Sequence, residues 1–483
     1  MKHHLLTLLL FNFIHLVNLF AGNGKPNIIV FIADDVSWND LGCYGNNQVK
    51  SPVTDRLASH GIRFNNVYLT ASSCSPSRNS ILTGRYPHNT GAAELHTEPP
   101  LDMVSLRETL KSNGYFTAHS GKWHMGKYIE RGFDVISRDY EEIGHSGSDS
   151  WVRVLKERPK GQPFFLWYAA LDAHRPWGDN QYSGTHNPDS VIPPIYLHNG
   201  KETRQDLAQY YDEIFRFDKR IGEVIEELEN QMILENTLII IMADNGRPFP
   251  HSKSRVNDRG MKTPFIIHWP GKIGKKSRTS NSLISAIDIA PTLLEIAGAD
   301  APISFQGQSF LEVIEDPSED FRNYVFAEHN WHDFEAHERM VRNKDFMYIL
   351  NSRPNKPQLG PLDALNSPAF RELKYLYEKG KLSAAQTDVF VSPRPYEELY
   401  DCKNDSLQLL NIASVPEYNA ILNELRSILK QWMKETGDNI PVNLTKDWYL
   451  PDPGYITTED KDIRGEMPGF INNATQINHP GPF

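Results

Sequence analysis

The chain is 483 residues long, 39% hydrophobic and 23% charged, a globular balance spread over more length than one ordinary core holds, so two domains are expected. With 61 acidic against 50 basic residues the net charge is −11, and no block of like charge stands out, which argues against nucleic-acid binding and its basic face. An anionic polymer stays open as a substrate if the site itself is locally basic.

The N-terminus carries Lys2 ahead of an apolar run from Leu5 to Phe20, then small residues at Ala21 and Gly22. This is the pattern of a secretory signal peptide over residues 1–21, and it predicts an exported protein, periplasmic or secreted. The run falls short of the ~20 residues a membrane span needs and is interrupted by Asn12, His15 and Asn18. No cysteine follows it, so neither a membrane anchor nor a lipid anchor is expected.

Next comes "KPNIIVFIADD", whose unbroken apolar run reads as a strand buried on both faces and ends in Asp34 and Asp35. "SPVTDRLASHG" and "SLRETLKSNG" read as short helices, the second capped by Ser105 and stopped at Gly114. Between them lies "SSCSPSRNSILTGRYPHNTG", which sets Cys74 among small polar, turn-forming residues. The chain has only two other cysteines, Cys43 and Cys402, too few and odd in number for a disulfide framework and without zinc spacing. An inert buried thiol suits Cys402 and suits Cys74 badly.

Two more buried strands follow: "PFFLWYAALDAH", ending with Asp172 and His174, and "NTLIIIMADNG", ending with Asp244 and Asn245. A helix precedes the latter, since Leu207, Tyr211, Ile214, Ile221, Ile225 and Leu228 recur on one face of a 3.6-residue period. Helix followed by buried strand is an α/β pattern, in which ligands bind beyond the carboxyl ends of the strands. All three runs deposit their polar residues there. Residues 336–350 turn to a strand pattern, and "YEELYDCKNDSLQLLNIA" leads into an amphipathic helix at "YNAILNELRSILKQWMKET". The expected organisation is a catalytic domain over 22–335 and a smaller α+β domain over 336–483, with an irregular Pro-, Asn- and Gly-rich tail after Asp438.

The stretch Cys74-Ser-Pro-Ser-Arg78 with Leu82-Thr83-Gly84-Arg85 resembles the signature of the type I sulfatases, in which the cysteine of CxPxR is oxidised to formylglycine. Further elements resemble that family in order: the pair Asp34 and Asp35, "GKWH" with Lys122 and His124, His174, "DNG" with Asp244 and Asn245, and Lys253. The loop after the lysine departs from the family's "EGG.R.P" and reads "DRGMKTP", keeping Gly260 and Pro264. "SSCSPSR", "DNGRPFP", "RPYEELYD" and "LKQWMKETGD" look most like the heparan N-sulfatase (sulfamidase) branch, which includes bacterial polysaccharide sulfatases such as ulvan-active ones. The resemblance implies an alkaline phosphatase-like sulfatase fold, with a large mixed sheet sandwiched by helices.

It also implies a chemistry. A formylglycine aldehyde at position 74 hydrates to a gem-diol; one hydroxyl attacks sulfur and expels the alcohol, and loss of the proton from the other ejects sulfate and regenerates the aldehyde. A plain serine or cysteine would be left as a sulfated enzyme with a slow second step. Asp34, Asp35, Asp244 and Asn245 are oxygen ligands suited to a hard cation, Ca²⁺ in the family, with the modified Cys74 as a further ligand. Arg78, Lys122 and Lys253 supply fixed positive charge, His124 assists the elimination, and His174 protonates the leaving oxygen. The implied partners are a sulfated carbohydrate and a formylglycine-generating enzyme.

Three other readings stay open: a sulfamidase acting on N-sulfoglucosamine, a phosphatase or phosphonate hydrolase of the same fold, and an inactive glycan-binding relative. The phosphatases usually need two metals and more histidine ligands. Loops flanking the site offer substrate contacts at His96, Arg175 and Trp177, the last two suited to a carboxylate and to stacking on a pyranose. The sugar, the sulfate position and the oligomeric state are not legible.

Overall fold

The computed structural model describes residues 24–450 and 461–483, so the expected signal segment lies outside the described residues. In chain order the strands are β1 (Asn27–Ala33), β2 (Ile62–Phe64), β3 (Val67–Tyr68), β4 (Phe116–Gly121), β5 (Val135–Ser137), β6 (Phe164–Ala169) and β7 (Thr237–Ala243). They continue with β8 (Phe265–His268), β9 (Arg278–Ser280), β10 (Ile284–Ser285), β11 (Val325–His329), β12 (Glu338–Arg342), β13 (Phe346–Asn351) and β14 (Glu397–Asp401). Eight of them form one sheet in the order β5-β4-β6-β1-β7-β8-β2-β9. It is mixed: β5, β4, β6, β1 and β7 run parallel, whereas β8 is antiparallel to both β7 and β2.

Every residue of β1, β6 and β7 is buried, as the unbroken apolar runs predict. Alternate side chains go to opposite faces. Ile28, Val30 and Ile32 meet Ile81, Leu106, Leu110 and Leu293 from the helices Cys74–Thr83, Leu106–Ser112 and Ile289–Ile296. Ile29 and Phe31 face the other way, into a core shared with the long helix Lys201–Asn230, whose Leu207, Tyr211, Ile214, Ile221, Ile225 and Leu228 are all buried. The helix Leu106–Ser112 starts at Ser105 with a reciprocal capping box to Glu108.

The smaller sheet is antiparallel, β11-β12-β13-β14, and the helix Asn419–Thr436 covers it through Leu422, Leu425, Leu429 and Trp432. Its first strand, Val325–His329, precedes residue 336, so the boundary expected at 335/336 cuts through this sheet. The pairing Val325↔Arg342 to His329↔Glu338 is a tertiary event that the local pattern of "VFAEH" does not announce. Among its described residues the tail carries only the short helical turns Phe470–Asn472 and Ala474–Gln476, and it is anchored rather than merely laid over the surface. Arg85 donates to the carbonyls of Thr475 and Ile477, and Trp448 packs in a cluster with Cys74, Leu95 and Trp331. Among the described residues no helix is long and apolar enough to cross a membrane.

One ion pair holds the smaller domain together from inside. Arg339 of β12 is fully buried and grips Asp438, just past the covering helix, through two hydrogen bonds of 2.6 and 2.9 Å, and it donates to Asn330 as well. Arg339→Ala strands the Asp438 carboxylate and is expected to cost about 3–5 kcal/mol. The check is the urea midpoint, with Arg339→Met paired with Asp438→Leu as the reference that removes both charges and loses less.

Candidate active site

The register of the central strands decides where the polar residues meet. Ala33 of β1 lies beside Ala243 of β7, Ile32 lies beside Ala169 of β6, and Gly121 of β4 lies beside that same Ala169. The residues that follow these four strands therefore leave the sheet at one edge. Backbone bonds stitch the exits together: Asp34 donates to the carbonyl of Asp172 at 2.8 Å, Lys122 to Ala169 at 2.8 Å and Asp244 to Ala33 at 3.2 Å. The crossing is tight enough that glycine is required. A Cβ on Gly121 would lie 1.8 Å from the Ala169 carbonyl oxygen, and one on Gly246 would lie 2.2 Å from that of Arg259.

Into this edge the helix Cys74–Thr83 presents its N-terminus. Cys74 is its first residue and is 2% exposed, so the polar setting that reads as a turn is a buried helix start. The polar neighbours are used in fixing it. Ser73 bonds to His332 at 2.8 Å, Ser75 accepts the His96 amide at 2.9 Å, and Ser72 accepts the Ser254 amide through both its carbonyl and its hydroxyl. Periodicity cannot reveal such burial, because each hydroxyl finds its partner on a distant segment. The Cys74 sulfur lies 3.7 Å from Asp34 and 4.0 Å from Asp35, and burial holds the unmodified thiol well above its usual pKa, which keeps it protonated. Cys402, by contrast, is the inert buried thiol expected.

Asp34, Asp35, Asp244 and Asn245 are all buried around that sulfur. The Asp35 amide donates to Asp244 at 3.2 Å, and the Asn245 amide nitrogen bonds to the Asp35 carboxylate. Arg78 reaches Asp244 at 2.8 Å and Asp34 at 3.7 Å, Lys122 bonds to Asp34, and Lys253 sits 2.7 Å from Asp35. The structure thus brings Lys253 into the cluster despite the altered loop behind it. Burial raises Asp34, but Lys122, His174, Arg78 and Lys253 together hold it below the usual carboxylate range. Burial pushes Asp35 up to about 7 against the pull of Lys253, aided by repulsion from Asp34 and Asp363. It likewise pushes Asp244 up to about 6 against Arg78.

Carboxylates crowded out of water and driven toward protonation by one another are what a divalent cation relieves. Ligand atoms of Asp34, Asp35 and Cys74 lie within 4.8 Å of one another, and the buried Asn245 carbonyl oxygen has no hydrogen-bond partner. The oxygens of Asp34, Asp35, Asp244 and Asn245 form a hard donor set that fits Ca²⁺ or Mg²⁺.

His174 lies with Nε2 3.9 Å from Asp35, while its Nδ1 bonds to the Arg175 carbonyl; burial, with Lys253 and Lys122 beside it, lowers its pKa to about 4. His124 sits at φ 42° and its Nε2 is 2.8 Å from Nδ1 of His96, so the two histidines form a pair at the rim. Burial, then Lys122 and His96, hold His124 well below its usual pKa.

Two expected contacts take a different part. Arg175 presents no free fork: its two Nη atoms bond to Asp206 at 2.8 Å each, its Nε bonds to Pro248, and its guanidinium stacks 3.9 Å from the Trp177 ring. Trp177 in turn donates to Ala173 and packs on Tyr210 and Phe249. Both are structural wall, because the acidic partner for Arg175 comes from the long helix and is invisible to local reading. Conversely, Asp363 escaped the sequence reading: it lies 3.0 Å from Lys253 and 3.7 Å from His174, yet "GPLDALNSP" carries no recognisable signal.

The sulfatase family matches residues 26–299, and the C-terminal region of N-sulphoglucosamine sulphohydrolase matches residues 251–388. An ulvan-active sulfatase of Formosa agariphila is 31% identical over 500 residues, covering 90% of this chain and 80% of that one. Human N-sulphoglucosamine sulphohydrolase is 28% identical over 457 residues, covering 85% and 90%. Among solved structures, one titled as a complex with its substrate D-glucosamine-2-N,6-O-disulfate aligns at TM-score 0.67 and 22% identity, over 85% of this chain and 98% of that one. The phosphonate monoester hydrolase of Agrobacterium radiobacter aligns at 0.64 and 18%, over 83% and 94%. These two likenesses establish the alkaline phosphatase-like fold and nothing finer. Since the family match runs from the first strand past the Asp244–Asn245 turn and the Lys253 loop, the whole buried cluster falls inside it: the chain belongs to the sulfatases and is a sulfuric ester hydrolase.

Proposed function

We propose that this sulfatase is exported and removes sulfate from a sulfated polysaccharide or its oligosaccharides, using Ca²⁺ and a formylglycine made from Cys74 by a formylglycine-generating enzyme. The observation that carries the reading is the buried cluster in which Asp34 and Asp35 meet the Cys74 sulfur and Asp244 and Asn245 bond to Asp35, with Arg78, Lys122 and Lys253 as its cations. Formylglycine supplies a hydrated aldehyde as nucleophile, and the cation supplies charge stabilisation at a sulfate oxygen.

The rest is done by the chain's own side chains. Asp34, Asp35, Asp244 and Asn245 hold the cation, and Lys122 and Lys253 meet the sulfate oxygens from two sides as fixed charges in a water-poor pocket. Arg78 is fully buried and keeps Asp244 ionised and oriented. His174 delivers a proton from Nε2 to the leaving oxygen: its Nδ1 is committed to the Arg175 carbonyl, and an arriving sulfate ester offsets the two lysines that disfavour its charged form. His124, neutral and paired with His96, takes the proton released on the other side.

The names of the relatives, ulvan-active sulfatase and N-sulphoglucosamine sulphohydrolase, support a carbohydrate sulfate. A sulfamidase acting on N-sulfoglucosamine is the second reading, favoured by the match of residues 251–388 to the C-terminal region of that enzyme. A phosphatase is disfavoured by Asn245, which gives the second ligand of that turn as an amide where an imidazole is usual. The deciding experiment is a screen of sulfated oligosaccharides and N-sulfoglucosamine, reading released sulfate and the position lost.

Asp244→Ala is expected to abolish saturable Ca²⁺ binding in calorimetry and to lower turnover by about a hundredfold or more. For the unaltered protein, Ca²⁺ at about a hundred times its Kd should add about 2.7 kcal/mol of stability. An unchanged melting temperature with and without chelator counts against the ligand set.

Peptide mapping of protein made together with a formylglycine-generating enzyme should find Cys74 as the aldehyde. Cys74→Ser, in a host whose maturation enzyme accepts only cysteine, keeps one hydroxyl and lacks the second, so steady turnover should be lost and a sulfated serine become visible by mass spectrometry. Sustained turnover by an unmodified serine would overturn the formylglycine mechanism.

A further inference from the structure

Asp363 reaches the site from the C-terminal domain. It stands on the short helix Leu362–Leu365, whose first amide is fixed by Asp333 at 2.9 Å, and its own Oδ1 accepts the Ala364 amide at 2.7 Å. That leaves Oδ2 aimed at the catalytic cluster, 3.0 Å from Lys253 and 3.7 Å from His174 Nε2. Burial would raise its pKa, but Lys253 and His174 outweigh it and keep the carboxylate ionised. One ammonium, Lys253, serves both Asp35 and Asp363, so the Asp363 charge is only partly compensated.

The same carboxylate lines an open trough of about 370 Å³, together with Arg175, Trp177, Asp206, Gln209 and Asn366. Asp363 joins this trough to the catalytic groups, because its Oδ2 lies 3.7 Å from His174 Nε2. Arg175 is the single cation among its lining residues, and its fork is already spent on Asp206. What the trough offers a sugar ring is therefore a carboxylate and two side-chain amides, with no free positive charge. A ring bearing hydroxyl or amine donors gains hydrogen bonds there, whereas one bearing an anion meets Asp363, which shares Lys253 with Asp35, and finds no free cation among the trough's lining residues.

Resting on the sulfatase reading above, we propose that Asp363 is a specificity-determining residue: it admits into this trough a neutral or amine-bearing sugar ring and rejects one that carries a second sulfate or a carboxylate next to the scissile sulfate. Discrimination of this kind comes from an incompletely compensated charge set against the wrong substrate, and it acts on every competitor of that charge whatever its detailed shape.

The test compares pairs of oligosaccharides that share one scissile sulfate and differ by a second sulfate or a uronate on the ring that enters the trough. Because both members of a pair use the same catalytic groups, any effect of Asp363 on Lys253 or His174 cancels in the ratio of their kcat/KM values. The unaltered enzyme should prefer the neutral member. Asp363→Asn should shrink that preference about tenfold, mainly through KM of the anionic member, as expected for removing one like-charge contact in a partly exposed setting. Asn366→Asp, which adds a charge to the trough wall away from the catalytic groups, should widen it, and this variant keeps the proposal testable if Asp363→Asn fails to fold. Released sulfate with a ratio unchanged by either variant, or an unaltered enzyme that prefers the anionic member, overturns the specificity role alone. No released sulfate from any member overturns the sulfatase reading and this one with it.

Discussion

Three carboxylates and an amide held out of water around a single sulfur form an arrangement that no apolar core would tolerate uncompensated. Burial is the largest cost to the charged forms of Asp34, Asp35 and Asp244, and repulsion from neighbouring carboxylates adds to it at Asp35 and Asp244. The remainder of the structure near the site answers this charge. Arg78 comes from the helix that carries Cys74, Lys122 from the end of β4, and Lys253 from the loop after β7, so cations from three separate segments converge on one anionic centre. This convergence of three cations on three buried carboxylates is what the proposed cation and sulfate site rests on.

Holding so many charges in place calls for a rigid frame, and the parallel strands supply it. Their pairing sets Ala33 beside Ala243, and Gly121 and Ile32 on either side of Ala169, and the small residues at the strand ends let the exiting backbones hydrogen-bond directly. A one-residue slip of any of these strands would invert its side chains between the two helix-covered faces and carry its catalytic residue away from the edge. The hydrophobic burial on both faces thus sets the geometry of the polar cluster.

The C-terminal domain takes part in the site as well as covering it. Its first strand is bound to the catalytic domain through the Glu328 amide on the Thr70 carbonyl, His332 fixes Ser73 beside Cys74, and Asp363 divides Lys253 with Asp35. Arg464 from the tail lies between the rings of Trp331 and Trp448, 4.3 Å from each, and donates to Glu94 and to Leu95, next to His96. The buried charged cluster comes mainly from the first domain, and the second contributes Asp363 and His332 to its surroundings.

The sequence by itself determined the buried strands, the long amphipathic helix and the catalytic residue types, because apolar runs, 3.6-residue periodicity and the order Asp-Asp, CxPxR, Gly-Lys-Trp-His, Asp-Asn are local facts carried by neighbouring residues. Lys253 was legible in the same way, as a lysine shortly after "DNG". Only the tertiary structure decided that Cys74 is buried, that Arg175 is neutralised by Asp206, that Val325–His329 belongs to the second sheet, and that Asp363 faces His174. Each of these rests on a partner at least 9 residues away, as with His329 and Glu338, and often more than 100, as with Asp363 and Lys253 at a separation of 110. Charge compensation and strand pairing act through space, and the identity of a distant partner leaves no trace in the residues on either side.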